Sequence, residues 1–218
     1  MAGSYYTMFL SYQERDPVVD IFHTFVLLGC TILSVPELCI LIPVYYWYML
    51  VMLRCMSWRG LWAGVIGLLF PFSLVAGWCI VTDDYRFLLE QAEFLSNIHL
   101  FNSADYTCTV TVESLTCAFL GLLSFVGVIH FLRTYYNDKI RTRMFLYIYV
   151  TQTAVCWLVA AALPCRFEIL LPLIVLNAST PIAHYFALTG SRLSNAFFCF
   201  TLLASVALLL HTFGLWTL

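Results

Sequence analysis

The run WRGLWAGVIGLLFPFSLVAGWCIV, residues 58–81, decides the fold class. From Gly60 to Thr82 it carries no charged side chain, and the chain then turns abruptly to Asp83-Asp84-Tyr85-Arg86. About 20 residues rising ~1.5 Å each cross a hydrocarbon core of ~30 Å, so this stretch is long enough to span a bilayer as one helix. Backbone groups in lipid must pair within the protein, which leaves helices or a closed barrel. A barrel shows stretches of about ten residues with alternating polarity. Here apolar residues follow one another without alternation, so helices are expected.

The rest of the chain has the same character. Its 218 residues are 62% hydrophobic and 10% charged, against about a quarter charged in ordinary soluble domains. Further apolar runs predict helices at 17–34, 37–55, 114–133, 143–162, 166–188 and 194–216, beside the one at 58–81. The expected architecture is all-α: a polytopic bundle of about seven transmembrane helices forming one integral membrane domain, 1–218. The first sixteen residues lack a basic cluster, and no small-residue cleavage site follows the first apolar run, so no cleaved signal peptide is expected.

Charge orients this set. Laid out alternately, the segments place Arg15, Arg54, Arg59, Arg133, Lys139, Arg141, Arg143 and Arg192 on one side. Cytoplasmic loops carry the excess of Lys and Arg, so the N-terminus is expected inside and the C-terminus outside. Glu37, Asp83, Asp84, Glu90, Glu93, Asp105, Glu113 and Glu168 fall on the outer side. Arg86 and Arg166 are the two basic exceptions, and each lies near an outer acid, Glu90 and Glu168 respectively.

Residues 82–113 form the one long connection. Phe87, Leu88, Phe94, Leu95, Ile98 and Phe101 follow helical spacing, with Arg86, Glu90, Glu93 and Asn97 opposite. An amphipathic helix over 86–101, lying on the outer leaflet, is predicted. Thr107 to Val112 reads as a short extended segment.

Ionisable groups inside membrane helices cost roughly 2.5–3.5 kcal/mol each on insertion scales, so each needs an account. Asp20, His23, His130 and His184 fall at similar depth near the cytoplasmic ends of their helices. They are candidates for a shared metal site or proton relay; the plainer reading has each reach the headgroups from its own helix end. Asn177, Ser179, Thr180 and His184 surround Pro181, which removes a backbone bond. These residues either line a ligand pocket at a broken helix or satisfy a proline kink. Asn177-Ala178-Ser179 also matches the glycosylation pattern, but it sits inside a span. Asp83, Asp84 and Arg86 are the candidate catalytic group, able to serve acid/base chemistry or a cation, with a solvated helix start as the structural alternative. Gly60, Gly64 and Gly67 form a small-residue face suited to close packing.

The nine cysteines show no CxxC pair, and most lie in apolar runs, where thiols behave as small hydrophobes. Cys108 and Cys165 are the pair placed to form a bridge on the outer face. Pro36-Glu37 through Pro43 and Arg59 has the same outline as Pro164, Glu168, Pro172 and Arg192. This predicts two three-helix units, 17–81 and 143–216, joined by helix 114–133.

The runs Ser57-Trp58-Arg59 through Leu68-Leu69-Phe70-Pro71-Phe72, and Arg141-Thr142-Arg143-Met144 through Pro181-Ile182-Ala183-His184-Tyr185-Phe186, resemble a family of bacterial polytopic inner-membrane proteins of uncharacterised activity. The resemblance implies a bacterial inner-membrane location and assigns no functional residue.

No GxSxG, HExxH or P-loop is present, no cofactor is expected, and no basic stripe marks a nucleic-acid binder. The first reading is a non-enzymatic scaffold or partner subunit in contact with the lipid bilayer and with another membrane protein or a second copy. The second is a transporter of a small solute or lipid, with its site at helix 166–188. The third is a membrane-embedded transferase acting on a lipid-linked substrate.

Overall fold

A computed structural model describes residues 1–96, 112–163 and 167–212, and no strand occurs among them. The elements are α1 (Ala2–Leu10), α2 (Val18–Ser34), a 3-10 turn (Pro36–Ile40), α3 (Leu41–Trp47), a π turn (Tyr48–Met52), α4 (Trp58–Thr82), α5 (Arg86–Ser96), α6 (Val112–Thr134), α7 (Ile140–Ala162), α8 (Phe167–Leu188) and α9 (Arg192–Thr212). Contacts divide the chain into two compact units, Met1–Leu100 and Phe101–Leu218.

Five helices among the described residues, α4 and α6 to α9, are long and apolar enough to cross a membrane, while Val18–Ser34 and Pro36–Met52 are shorter apolar segments. Of the seven spans expected, five have this length, and the expected helices 17–34 and 37–55 correspond to the two shorter apolar segments. The shortfall has a local cause at 37–55. Pro36 opens a 3-10 turn, α3 runs for seven residues, and Leu53 N–H then donates to the Tyr48 carbonyl in π fashion at 2.9 Å. Arg54 closes the segment with φ 51°, so regular helix does not reach Cys55. The amphipathic helix begins at Arg86 as expected and is described as far as Ser96. Residues 107–111, Cys108 and Cys165 lie outside the described residues.

The first unit is organised around α4. Gly60, Gly64, Gly67 and Pro71 are its buried stripe, at the four-and-three spacing that puts residues on one helix face. A Cβ on Gly64 would lie 2.9 Å from the Phe25 ring, and one on Gly67 would lie 2.6 Å from the Phe22 carbonyl oxygen. On the facing helix, a Cβ on Gly29 would lie 2.9 Å from the Leu68 carbonyl oxygen and 2.7 Å from Pro71 Cγ. Glycines on both helices thus bring α2 and α4 to backbone contact, a packing that lipid-embedded helices favour because dispersion, not water, drives them together. The small-residue face expected to pack closely is filled by α2.

The opposite face of α4 is exposed, with Trp58 and Trp62 near one end and Trp78 near the other. Twenty residues of helix separate Trp58 from Trp78, ~30 Å, the spacing of the two aromatic belts of a bilayer. α1, absent from the helices expected, buries Ser4, Tyr5 and Met8 on one side. Ser4 Oγ lies 3.0 Å from the Tyr45 hydroxyl, and Thr7 Oγ1 lies 2.9 Å from Thr24 Oγ1 on α2.

In the second unit α8 packs against α6 and α7, and more lightly against α9. A Cβ on Gly127 of α6 would lie 3.1 Å from the backbone at Pro181 and Ile182, so α6 crosses α8 closest at its second internal proline. The triplet α2–α4 is held by contact between its first and last helices. In the triplet α7–α9 both outer helices rest on the middle one.

Gly67→Ala is expected to cost about 1–3 kcal/mol, the usual penalty for overpacking a closed contact. Gly77→Ala, whose added Cβ meets nothing within 4 Å, is expected to be neutral or slightly stabilising. Thermal melts of the two variants in one detergent measure the difference; equal melting points would contradict the α2–α4 contact.

Candidate functional site

The polar side chains that the helices do not absorb gather where α6 and α8 end and α7 begins. His130 lies in the last turns of α6, Asp138 in the short turn before α7, and His184 in the last turns of α8. His184 Nε2 approaches Asp138 Oδ2 to 3.1 Å, with both side chains 13% exposed. The contact lacks hydrogen-bond alignment, because Asp138 Oδ2 has no hydrogen-bond partner among the described residues; the same is true of His130 Nδ1 and His184 Nδ1. The His130 and His184 rings are 6.3 Å apart between centroids.

Rings enclose this set. Phe131 is fully buried and sits 6.1 Å from His184, edge-on, while Tyr185 sits 4.9 Å from His130. Phe131 also anchors the small core of Leu146 and Val150. In such surroundings a charged imidazole and the carboxylate attract each other, whereas two charged imidazoles would repel, and both effects are stronger where the local dielectric is low. The arrangement can hold a proton and tie the α6–α7 turn to α8 when His184 is protonated.

The candidate metal residues fall in both units. His130 and His184 come together, whereas Asp20 and His23 lie on α2 in the first unit, where His23 is exposed and packs edge-on to the Phe22 ring. No group of three or more His, Cys, Asp or Glu among the described residues is placed to hold a metal.

Around Pro181 the polar groups are engaged across the α7–α8 contact. Asn177 is fully buried and its Nδ2 donates to Cys156 Sγ at 3.4 Å. Thr180 is bonded to the Tyr149 hydroxyl. Ser179 Oγ donates to the Leu176 carbonyl and lines a groove otherwise composed mainly of hydrocarbon. The candidate ligand-binding residues Asn177 and Thr180 thus hold α8 to α7, while His184 belongs to the cluster one turn further on.

Asp83, Asp84 and Arg86 occupy helix ends. Asp83 closes α4 in the left-handed conformation, φ 52° and ψ 24°. Asp84 Oδ1 accepts the Arg86 backbone N–H at 3.1 Å and starts α5. The Arg86 guanidinium lies 3.9 Å from Asp84 and is 89% exposed; the sequence had paired it with Glu90. The pairing of Arg166 with Glu168 lies outside the described side chains.

Asp138 is the member of this cluster that the sequence did not single out. Its signal was one acid inside the basic run Arg133 to Arg143, opposite the depth assigned to His130 and His184.

Compared with known proteins, the chain matches no family model, no curated protein and no solved structure. The described helices establish a multi-span membrane protein by length and composition.

A double-mutant cycle with Asp138→Asn and His184→Gln is expected to show a coupling of about 0.5–3 kcal/mol, as for groups that share one network. Additive losses in detergent melts would show the pair to be uncoupled. Asp83→Gly is expected to raise stability by about 0.5–1 kcal/mol, because glycine adopts the left-handed cap without a Cβ penalty. Asp83→Val is expected to lower it, and the two melting shifts should have opposite signs.

Proposed function

We propose that this multi-span membrane protein is a non-enzymatic partner subunit, and that α9 is the helix it presents to another membrane protein. The supporting observation is how α9 divides its surface. Ser194, Phe197, Thr201, Ala204, Leu208 and Leu210 are its buried or half-buried positions; the first five form a narrow stripe at alternating spacings of three and four that faces its own chain. A second stripe with the same spacing, Leu193, Ala196, Phe200, Leu203 and Ala207, is wholly exposed. Alternating bulky and small residues along such a line is the pattern by which membrane helices interlock.

The bilayer itself covers α4, whose exposed tryptophans stand one hydrocarbon thickness apart. α9 has no such pair among its described residues. In the proposed topology the Arg54–Arg59, Arg133–Arg143 and Arg192 turns face the cytoplasm, following the positive-inside bias. With α5 on the outer surface, α4 runs outward, α6 inward, α7 outward, α8 inward and α9 outward. Placement in a bacterial inner membrane is part of the proposal and rests on the sequence resemblance alone.

A photo-crosslinking amino acid placed at Phe200 or Leu203, in native membranes, is expected to give a discrete protein adduct. The same probe at Trp78 is expected to label lipid only. Lipid labelling at all three positions would remove the basis for a subunit role.

A further inference from the structure

α1 reverses the polarity of a helix that meets water. The face it turns to its own unit carries its hydroxyls: Ser4 and the capping residue Ser11 are fully buried, and Thr7 lies between them half-buried. Each has a partner across the contact, Ser4 at the Tyr45 hydroxyl (3.0 Å), Thr7 at Thr24 Oγ1 (2.9 Å) and Ser11 at Cys55 Sγ (3.5 Å). The face turned away is Ala2, Gly3, Tyr6 and Leu10, all exposed, Tyr6 at 67%. No charged side chain occurs from Met1 to Gln13, and the next three residues, Glu14, Arg15 and Asp16, are all charged and exposed. A helix lying on a protein in water, or flat among headgroups, shows its polar side outward. Hydroxyls inward and hydrocarbon outward is the arrangement that lipid imposes.

The contacts of α1 also give its depth. Ile21 lies against Gly60, Phe25 against Gly64, and Gly29 against Leu68 and Pro71, so α2 and α4 run in the same direction. α1 runs against both. Ser11 is at Cys55, three residues before the exposed Trp58; Thr7 is at Thr24; and a Cβ on Gly3 would lie 3.2 Å from the Leu27 side chain. Leu27 is six residues beyond Ile21, the neighbour of Gly60, so Gly3 lies ~12 Å further along α4 than Trp58. Trp58 and Trp78 stand one hydrocarbon thickness of ~30 Å apart. α1 therefore reaches from the level of one tryptophan toward the middle of the layer between them.

We propose that α1 is a half-span helix immersed in the bilayer, with acyl chains covering its face of Ala2, Gly3, Tyr6 and Leu10. The chain then enters the turn at 11–17 from within the membrane, and not from the inner side, where an alternating layout puts residue 1. The three hydroxyl contacts are what admits a polar-striped helix to hydrocarbon, because groups that lipid leaves unsatisfied are satisfied inside the unit. The proposal concerns the first unit alone, so it stands or falls apart from the subunit role of α9.

The test measures depth on the full-length protein in liposomes. A nitroxide carried on an unnatural side chain replaces Ala2, Tyr6, Leu10 or Gln13 in turn. Its access to oxygen and to a water-soluble nickel chelate is read by power saturation. Gln13 is expected to meet the chelate, and Leu10, Tyr6 and Ala2 to exclude it increasingly, with Ala2 up to ~12 Å deeper than Leu10. Equal depths at Ala2, Tyr6 and Leu10 would lay α1 flat at the surface and overturn the proposal, as would free access of the chelate to all three. If a labelled variant fails to fold, unmodified protein decides. A diazirine on a phospholipid acyl chain is expected to modify peptide 1–12 on photolysis, and a water-soluble diazirine to modify 13–16. Absence of the acyl-chain adduct from 1–12 overturns the proposal.

Discussion

Hydrocarbon offers a polar side chain no partner, and the helices of this protein are organised around that constraint. Most of the serines and threonines on them close a hydrogen bond to a carbonyl three or four residues earlier. Thr24 donates to Asp20, Thr31 to Leu27, Ser124 to Leu120, Thr134 to His130, Thr153 to Tyr149 and Ser205 to Thr201. Such bonds leave no donor facing lipid. A hydroxyl satisfied only in this way contributes nothing to the choice of neighbour; Thr24 and Thr31 keep a second bond, to Thr7 and to the N-terminal ammonium. Helix association is left to shape and to the few polar groups that reach across.

Those few groups fall at the packing contacts. In the first unit Ser4 meets Tyr45, Thr7 meets Thr24, and the Tyr46 hydroxyl donates to the Leu61 carbonyl beside Gly64. In the second, Asn177 reaches Cys156 next to the buried Gln152 and Thr153. The histidine–aspartate set differs in being made of ionisable groups, with Asp138 Oδ2, His130 Nδ1 and His184 Nδ1 not closed by hydrogen bonds within the described residues. Its members join a turn to a helix end. That makes it the place in the second unit where chemistry, rather than packing, can alter the contact between elements.

The sequence showed α4 and α6 to α9 to within a few residues at each end described, because charges bracket them: Arg59 and Asp83 bound α4, and Arg192 opens α9. It failed where hydropathy carries no geometric information. Pro36 and Pro43 announced a break, but neither says that the chain passes through 3-10, α and π turns in succession. α1 was missed because its buried stripe, Ser4, Tyr5 and Met8, is short and partly polar. The glycine face of α4 was legible as a packing surface while its occupant was not, since close approach is reciprocal and Gly29 stands alone on α2. The common depth of His130 and His184 was likewise legible. Their adjacency depends on how α6 and α8 cross at Gly127 and Pro181, which no periodicity contains.

The glycine contact has a mechanical corollary. α2 has 17 residues and α4 has 25, lengths of ~25 and ~37 Å against a hydrocarbon thickness of ~30 Å. One helix is shorter than that thickness and the other longer, yet the two are clamped backbone to backbone along Gly60 to Pro71, the first half of α4. A thicker bilayer strands the ends of α2 and relieves α4; a thinner one does the reverse, and neither helix can tilt without carrying its neighbour. Hydrophobic mismatch costs fractions of a kcal/mol per ångström, so two clamped helices of unequal length would meet a change in bilayer thickness unequally, with the glycine-lined seam between them.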